Sequence, residues 1–361
     1  MTNSKKELDF THTLLTWNRH QNLRTMPWKG EKDPYKIWLS EIILQQTRVE
    51  QGWAYYNKFL KTYPTIKALA DAPENEVFKL WEGLGYYTRC RNLVATARFI
   101  SNELEGKFPD DYESILQLKG VGPYTAAAIA SFAFNLPHAV VDGNVMRVLS
   151  RFFGIKKNID DNDGKKIFAT LANKLLEKGV AGLYNQAIMD FGATICKPQS
   201  PLCSHCVFSA RCEAYLQNAV NDYPVKSKKL IKKHRWFYYI IAEYKGKIFV
   251  RKRLEKDIWQ NLYEFILIET SQECSPPEIM GMPSFKEVAG KESEVINVSR
   301  VFKQQLTHQT IHGFFIRIKL KKAPLLEIYK AEKKEALLLQ PFPRFITGYF
   351  DESDDFFESN V

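Results

Sequence analysis

Apolar residues recur at helical spacing from about residue 10 to residue 217, in segments that proline punctuates. Such breaks mark helix boundaries, and they fall at Asp33-Pro34, Pro64, Pro73, Pro109, Pro123 and Pro137. The pattern predicts about ten helices and almost no strand in this part of the chain.

Beyond residue 235 the pattern changes to short runs rich in β-branched and aromatic residues, which are typical of strands. These runs cover residues 236–243, 248–253, 263–269 and 314–320. The predicted fold class is therefore multidomain, with an all-α region followed by a C-terminal α+β domain. Residues 348–361 are acidic and aperiodic, which predicts a disordered tail.

A basic segment separates the two predicted domains. Lysine and arginine occupy six of the ten positions from 226 to 235, and a charged run without helical periodicity is typical of a linker. The segment is either a solvated tether or a tether that also contacts phosphates.

Composition and charge narrow the classes of function. The chain has 361 residues, 45% of them hydrophobic, and no apolar run long enough to span a membrane. A peptide hormone or a disulfide-rich mini-domain is excluded. The net charge of +10 favours a polyanionic partner, above all nucleic acid, although an incidentally basic protein fits as well. Because the N-terminus lacks the pattern of a signal or transit peptide, we expect a cytoplasmic protein. The absence of an apolar span predicts no membrane contact, and we also expect a monomer.

Four of the six cysteines crowd into one short stretch: Cys196, Cys203, Cys206 and Cys212. Their spacing of six, two and five residues contains a single C-x-x-C pair. Structural zinc usually uses two such pairs, so the spacing favours an iron–sulfur cluster over zinc. Cys90 and Cys274 stand apart and are predicted to be small buried hydrophobes.

A turn with two glycines joins two predicted helices over residues 112–134. Gly120 and Gly122 let backbone N–H groups approach a phosphate, and the dipole of the following helix favours an anion there. The sequence predicts a helix–hairpin–helix that holds the DNA backbone, although a Gly-x-Gly turn by itself is commonly only a tight connector.

Two carboxylates stand in positions suited to acid–base chemistry. Glu41 lies on the apolar stripe of a predicted helix over residues 35–47, where burial would raise its pKa; the alternative is a pair with Arg48 at the edge of the stripe. Asp142 precedes a periodic segment and is a natural helix N-cap. A cap also stabilises the charged carboxylate, so a neutral acid and an anion would flank a sugar whose base departs through an oxocarbenium-like state.

These features together resemble one family. The sequence is similar to adenine DNA glycosylases of the MutY type, in the helix–hairpin–helix superfamily that includes endonuclease III. The resemblance rests on the four cysteines and on LRTMPW (23–28), WLSEIILQQTRV (38–49), WEGLGYY (81–87), LKGVGPYTA (118–126), VDGNV (141–145) and YNQA (184–187).

The resemblance implies excision of adenine mispaired with 8-oxoguanine, and of adenine opposite guanine, after the base is flipped from duplex DNA. Glu41 would protonate adenine at N7, Asp142 would stabilise the C1′ cation, and Tyr124 and Asn144 would assist. The four cysteines would hold a [4Fe-4S] cluster. Contacts to DNA or to the base are implied at Arg24, Trp28, Lys29, Gln46, Thr47, Leu84, Gly85, Tyr86, Gly120, Gly122 and Gln186.

The resemblance also separates this chain from bifunctional relatives. Those enzymes carry a Schiff-base lysine where this chain has Tyr124, so a monofunctional glycosylase without strong lyase activity is implied. Two alternatives stay open: an endonuclease III-like pyrimidine glycosylase with lyase activity, and a catalytically inactive iron–sulfur DNA sensor.

The C-terminal half resembles the Nudix-like domain of the same family, through residues 251–253 and 259–265, but lacks the acidic metal-binding Nudix box. Leu306, Thr307 and His308 match a loop that senses 8-oxoguanine, with Leu-Thr in place of Phe-Ser; alternatively, Thr307 and His308 only edge a strand. The implied organisation is a catalytic region over 1–220 (six-helix barrel module about 28–135, iron–sulfur module 1–27 and 136–220), a linker over 221–235, a recognition domain over 236–347 and a tail over 348–361.

Overall fold

A computed structural model of the chain describes residues 3–227, 232–324, 326–353 and 356–357. The chain divides into two compact units. The first comprises Met1–Ala70 and Ala95–Lys229, and the second comprises Asp71–Val94 and Leu230–Val361. None of the described helices combines the length and apolarity that a membrane span requires.

The described residues up to 227 form helices and no strand, in agreement with the predicted pattern. The α-helices are α1 (Asn3–His20), α2 (Pro34–Leu44), α3 (Val49–Thr62), α4 (Ile66–Asp71), α5 (Glu74–Trp81), α6 (Tyr87–Glu103), α7 (Tyr112–Leu116), α8 (Pro123–Phe134), α9 (Gly143–Phe153), α10 (Asn162–Leu175), α11 (Ala181–Thr194) and α12 (Glu213–Leu216). Single 3₁₀ turns lie at Lys178–Val180, Cys203–His205, Ser209–Arg211 and Val220–Asp222.

Local capping and backbone conformation explain where α2 begins and ends. The Asp33 side chain accepts a hydrogen bond from the backbone N–H of Tyr35, and Pro34 opens α2, as both residue types favour. Helix α2 ends at Leu44, so the predicted extension to residue 47 is wrong. Gln46 there adopts a left-handed φ of 57°, which an α-helix does not contain.

The core of the first unit joins the N-terminal helix to the segment that carries the cysteines. Phe208 lies between Cys206 and Cys212 in the sequence and is buried. Its ring stacks on Phe10 of α1 at 4.8 Å between centroids, and Phe152 of α9 packs edge-on at 5.0 Å. Because these aromatic side chains are large and buried, the cysteine segment is anchored to helices distant in sequence.

The second unit is built on a mixed sheet. Its strands are β1 (Lys233–Tyr244), β2 (Lys247–Lys252), β3 (Tyr263–Glu264), β4 (Ile266–Thr270), β5 (Glu294–Val298), β6 (Phe302–Gln305), β7 (Gln309–Gly313), β8 (Phe315–Lys319) and β9 (Lys330–Lys333). Its remaining helices are α13 (Pro276–Gly281), α14 (Pro283–Ala289), α15 (Lys334–Leu337) and α16 (Arg344–Glu352). Strand β1 pairs antiparallel with β2 and β4 and parallel with β7 and β8.

Strand β1 is buried along most of its length, because helices cover both faces of the sheet. Tyr238 packs into a cluster that includes Phe285 of α14, while Tyr239 on the opposite face packs on Phe345 of α16. A strand buried on both faces becomes a continuous apolar run, which is why the sequence predicted it. Strands β5 and β9 are largely exposed, so no such run indicated them.

The predicted linker is too long at its C-terminal end. Lys233 begins β1, and Arg235 lies within it. The Arg235 guanidinium forms ion pairs with Asp257 at 2.8 Å and Glu269 at 2.7 Å, so these residues belong to the sheet and not to a tether. Two of the predicted basic positions, Lys228 and Lys229, lie outside the described residues.

The predicted disordered tail is also wrong for residues 348–353 and 356–357. Helix α16 continues to Glu352, and the Phe356 side chain is 1% exposed, packed against Phe265 and Phe350. The acidic composition of the segment concealed the aromatic side chains that fix it. Residues 354–355 and 358–361 of this prediction lie outside the described chain.

Residues 71–94 group with the C-terminal sheet, whereas the predicted organisation counted them with the helical region. Lys252 Nζ donates a hydrogen bond to Asn75 Oδ1 at 3.0 Å, and the backbone N–H of Phe342 donates to Glu82 Oε1 at 2.8 Å. Polar side chains on a predicted helix carry no signal of such partners, which is why the sequence did not indicate the grouping.

Candidate active site

A cavity of about 830 Å³ opens in the first unit, lined by residues of α2, α8, α9, α11 and the loop before α2. The cavity brings together ten of the residues singled out from the sequence: Arg24, Trp28, Lys29, Glu41, Gln46, Thr47, Tyr124, Asp142, Asn144 and Gln186. Its size is that of a pocket for a small organic group.

Glu41 is the buried acid of this cavity. Its residue surface is 6% exposed, and Tyr124 of α8 forms a hydrogen bond with its side chain. Burial raises the pKa of Glu41 to about 7, the hydrogen bond from Tyr124 opposes this rise, and the nearby Asp142 charge adds to it. A carboxyl with this pKa holds a proton near neutral pH and can donate it.

Asp142 is the N-cap of α9, as predicted. Its Oδ1 accepts a hydrogen bond from the Val145 backbone N–H at 2.7 Å, and its Oδ2 accepts one from Asn144 Nδ2 at 2.7 Å. Both donors and the helix N-terminus favour a negative charge on this carboxylate. The cavity therefore contains a buried carboxyl group whose pKa is raised and a second carboxyl group that caps a helix.

Arg147, which the sequence did not indicate, holds the side chain of Asn144 by a hydrogen bond. The Arg147 guanidinium donates to Asn144 Oδ1 at 2.9 Å, to the Gly192 carbonyl at 2.7 Å and to the Cys196 carbonyl at 2.9 Å. The orientation of Asn144 is thus fixed by contacts that extend to the backbone of the first clustered cysteine.

The two-glycine turn joins α7 to α8 at the surface of the first unit. Gly120 is exposed with a φ of 83°, which glycine adopts without strain, and Gly122 is the N-cap of α8. Leu118 and Val121 on either side are buried. The turn therefore presents main-chain groups at the surface, at the start of the helix that carries Tyr124.

Asp190 of α11 is a second residue that sequence reasoning missed. Its side chain is fully buried and accepts hydrogen bonds from Arg24 at 2.9 Å, Lys29 at 3.0 Å and Gln186 at 2.9 Å. These three donors line the cavity. The spacing of four residues between Gln186 and Asp190 places them on one helix face, a signal by which Asp190 was detectable.

The four clustered cysteines line a single small cavity, separate from the first. Burial and, secondarily, neighbouring thiols raise the pKa of Cys206 to about 12. Arg151 is 2% exposed, and its guanidinium lies 3.5 Å from Cys196 Sγ. A buried cation beside these sulfurs suits anionic thiolates. Among the described residues, no three His, Cys, Asp or Glu side chains converge on one point as they would for a single metal ion.

The remaining predicted DNA-contacting residues lie in the second unit. Leu84 is buried, whereas Tyr86 is 41% exposed and has a left-handed φ of 50°. The Tyr86 hydroxyl forms a hydrogen bond with Thr307 Oγ1. Thr307 and His308 are exposed in the turn between β6 and β7. The structure therefore brings Tyr86 and Thr307 together and leaves Leu84 inside the fold.

Comparison with known proteins shows which proteins this chain is similar to. Residues 39–177 match the HhH-GPD superfamily of base excision DNA repair proteins. The chain is 36% identical over 308 residues to an adenine DNA glycosylase of Buchnera aphidicola subsp. Baizongia pistaciae, covering 84% of each protein. It is 42% identical over 215 residues to an adenine DNA glycosylase of Mus musculus, covering 57% of this chain and 42% of the mouse protein. The structure of a thermostable thymine-DNA glycosylase is 33% identical with a TM-score of 0.56, covering 60% of this chain and 100% of that one.

Proposed function

Because this chain belongs to the adenine DNA glycosylase family of the HhH-GPD superfamily, and is thus an N-glycosyl hydrolase, we propose that it removes adenine paired with 8-oxoguanine or guanine in duplex DNA. The observation that carries the proposal is that Glu41, buried and with a raised pKa, lines one cavity together with Asp142, the N-cap of α9. Base excision repair is the process that this reaction begins.

The two carboxyl groups divide the chemistry. Glu41 donates its proton to N7 of the flipped adenine, so that the bond between N9 and C1′ breaks with its electron pair on the base. The Asp142 carboxylate stabilises the positive charge that develops at C1′, and water then completes the hydrolysis. Tyr124 holds Glu41 through its hydrogen bond, and Asn144 holds Asp142.

The surrounding residues suit a flipped base and its phosphates. Trp28 is a large apolar wall of the cavity, while Arg24 and Lys29 bring positive charge to it. Gln46 and Thr47 lie at the cavity just beyond the end of α2, and the Gly120–Gly122 turn suits contact with the backbone. Flipping costs least at a mispair, where base pairing is already weak.

Monofunctional action is favoured by the state of the two lysines at the cavity. A lyase needs a neutral amine that reaches C1′. Lys29 Nζ is bonded to Asp190 and to the Arg24 carbonyl, and Lys32 Nζ is bonded to the Phe132 carbonyl. Tyr124 occupies the hairpin position next to Glu41 and offers no amine.

We also propose that the second unit is a Nudix-like domain that recognises 8-oxoguanine. The exposed Thr307 and His308 would contact the altered purine edge, with Tyr86 next to Thr307. Gly85 and Tyr86 both adopt a left-handed φ, of 73° and 50°, and the Tyr86 side chain is partly exposed.

The cysteine cavity supports a [4Fe-4S] cluster on Cys196, Cys203, Cys206 and Cys212. Four thiol side chains at one cavity, beside the buried Arg151, are a donor set that fits this group. When bound, the cluster would form four metal–sulfur bonds that fix the segment from Cys196 to Cys212. This structural role does not depend on electron transfer. A brown protein with iron and sulfide is expected, and a colourless protein with zinc would contradict the assignment.

Duplex DNA is the proposed partner of a monomer in the bacterial cytoplasm, at the nucleoid. Because basic groups release counterions on binding, affinity for DNA should fall steeply as the salt concentration rises. A flat response would argue against phosphate contacts at the hairpin.

The test is single-turnover cleavage of labelled duplexes that carry adenine opposite 8-oxoguanine, guanine or thymine, each analysed with and without alkali. Breaks that require alkali and occur only opposite 8-oxoguanine and guanine are expected. Breaks without alkali, or trapping of an adduct by borohydride, would show a lyase instead. Binding without base release would favour a DNA sensor.

Thymine excision is a second candidate, because a thymine-DNA glycosylase shares 33% identity and is covered along its whole length. A duplex with thymine opposite guanine belongs in the same assay. Release of thymine in preference to adenine would establish this alternative.

A further inference from the structure

Asp190 accepts four side-chain hydrogen bonds beside the cavity, although it does not line the cavity itself. Each oxygen of its buried carboxylate accepts two hydrogen bonds, one from a neutral amide and one from a cation. Oδ1 takes Gln186 Nε2 and Arg24, and Oδ2 takes Asn22 Nδ2 at 2.8 Å and Lys29. All four hydrogen-bond acceptor positions of this carboxylate are therefore occupied.

This arrangement fixes which way the Gln186 carboxamide faces. A carboxylate only accepts hydrogen bonds, so the atom of Gln186 next to Asp190 must be the nitrogen. The carbonyl oxygen Oε1 is then the acceptor that Gln186 can present to the cavity. Without Asp190, either end of the amide could face the cavity at little cost.

An acceptor at this wall distinguishes purines by the group at their six position. Adenine carries an amino donor there, whereas hypoxanthine and guanine carry a carbonyl acceptor. A fixed acceptor bonds the amino group and opposes the carbonyl. We propose that Asp190 is a positioning residue that sets the preference for adenine by holding the Gln186 oxygen toward the base; this inference rests on the proposed function.

The experiment compares single-turnover rate constants on two duplexes that differ only in adenine or hypoxanthine opposite 8-oxoguanine, at saturating enzyme. The ratio of the two rates in each variant is divided by the wild-type ratio, so that the different leaving-group reactivities cancel. Asp190→Asn leaves one acceptor oxygen for the four donors and replaces the other oxygen by an amide nitrogen, to which either end of the Gln186 carboxamide can adapt, so Gln186 is no longer held in one orientation. Since one net hydrogen bond corresponds to roughly a tenfold change, the adenine preference should fall about tenfold.

A double-mutant cycle identifies the route of the effect. Gln186→Met removes the polar end of the side chain and should lower the adenine preference. Once Gln186 is Met, adding Asp190→Asn should change the preference no further. Thr194→Val is the matched control, because Thr194 on the same helix bonds only the main-chain carbonyl of Asp190 and should leave the preference at the wild-type value.

Three outcomes would overturn the inference. The two rates could fall in proportion, which would make Asp190 purely structural. In the double variant, the adenine preference could fall by the product of the two factors found for the single variants, which would make the residues independent. If Asp190→Asn does not fold, the smaller Asp190→Ser is measured instead, and an unchanged preference there would refute the role. Failure of the proposed function is distinct, because wild-type enzyme would then release no adenine.

Discussion

Replacement of Glu41 by glutamine should stabilise the protein while abolishing base release. The ordinary pKa of a glutamic acid is 4.5, and burial raises that of Glu41 to about 7. Between these pH values the folded protein keeps a proton that the unfolded chain loses, so folding stability falls as pH rises. At about 1.4 kcal/mol per pKa unit, the loss reaches about 3 kcal/mol by neutral pH.

Glutamine has a similar shape and does not titrate, so the Glu41→Gln variant escapes this loss. Its advantage in free energy of unfolding should be near zero at pH 4.5, grow through pH 5 and 6, and level off at about 3 kcal/mol above pH 7. Urea denaturation followed by tryptophan fluorescence at each pH measures the difference. Glu113→Gln, an exposed change on α7, is the control and should show no such trend.

The single-turnover rate should change in the same pH range as the stability. It should fall as Glu41 ionises. Only protonated Glu41 can donate, so the single-turnover rate of the wild type should fall tenfold per unit above a pH of about 7. The variant should bind mispaired DNA and release no base. A stability difference that does not change with pH, or a variant with wild-type catalysis, would refute the assignment of Glu41 as a buried general acid.

Three further outcomes are expected. Asp142→Asn keeps a cap for α9, so its melting temperature should change little, while the single-turnover rate should fall by at least a hundredfold through loss of the charge opposite C1′, roughly 3 kcal/mol of transition-state stabilisation; an unaffected rate would exclude that role. Cys203→Ala should abolish visible absorbance near 400 nm, a rough expectation for iron–sulfur chromophores, whereas Cys274→Ser, which is not one of the four clustered cysteines, should retain it. Phe356→Ala should destabilise the second unit by about 3 kcal/mol, measured by thermal melting; the less buried Phe357→Ala should cost less, and equal losses would contradict a fixed C-terminal segment.

The sequence predicted features that depend on short-range pattern. The cap at Asp142, the break at Asp33-Pro34 and the spacing of the four cysteines follow from local chemistry. The apolar stripe also indicated that Glu41 would be buried, but not how strongly. Burial raises its pKa, the hydrogen bond with Tyr124 opposes the rise and Asp142 adds to it, and only the tertiary fold brings these residues to the same cavity.

Other features were hidden because they depend on partners distant in sequence. No residue near Asp190 in the sequence indicates that Arg24 and Lys29 bond to it, because both lie more than 160 residues away in the chain. Charge was misleading at Arg235, which serves the sheet through Asp257 and Glu269. Aspartate and arginine are usually exposed, so their identities gave no reason to expect Asp190 to be buried or Arg235 to be paired. Both properties depend on the tertiary fold.

The grouping of residues 71–94 with the C-terminal sheet bears on the order in which the protein is assembled during translation. Glu82 and its partner Phe342 are separated by 260 residues. At about 5–20 residues per second, a ribosome needs roughly 10–50 s to synthesise that interval. During this time Asn75 and Glu82 lack their distant partners, because Lys252 and Phe342 have not yet been synthesised. The surface that carries Tyr86 is therefore among the last parts of the nascent protein to be completed, although its own residues are among the first to be made.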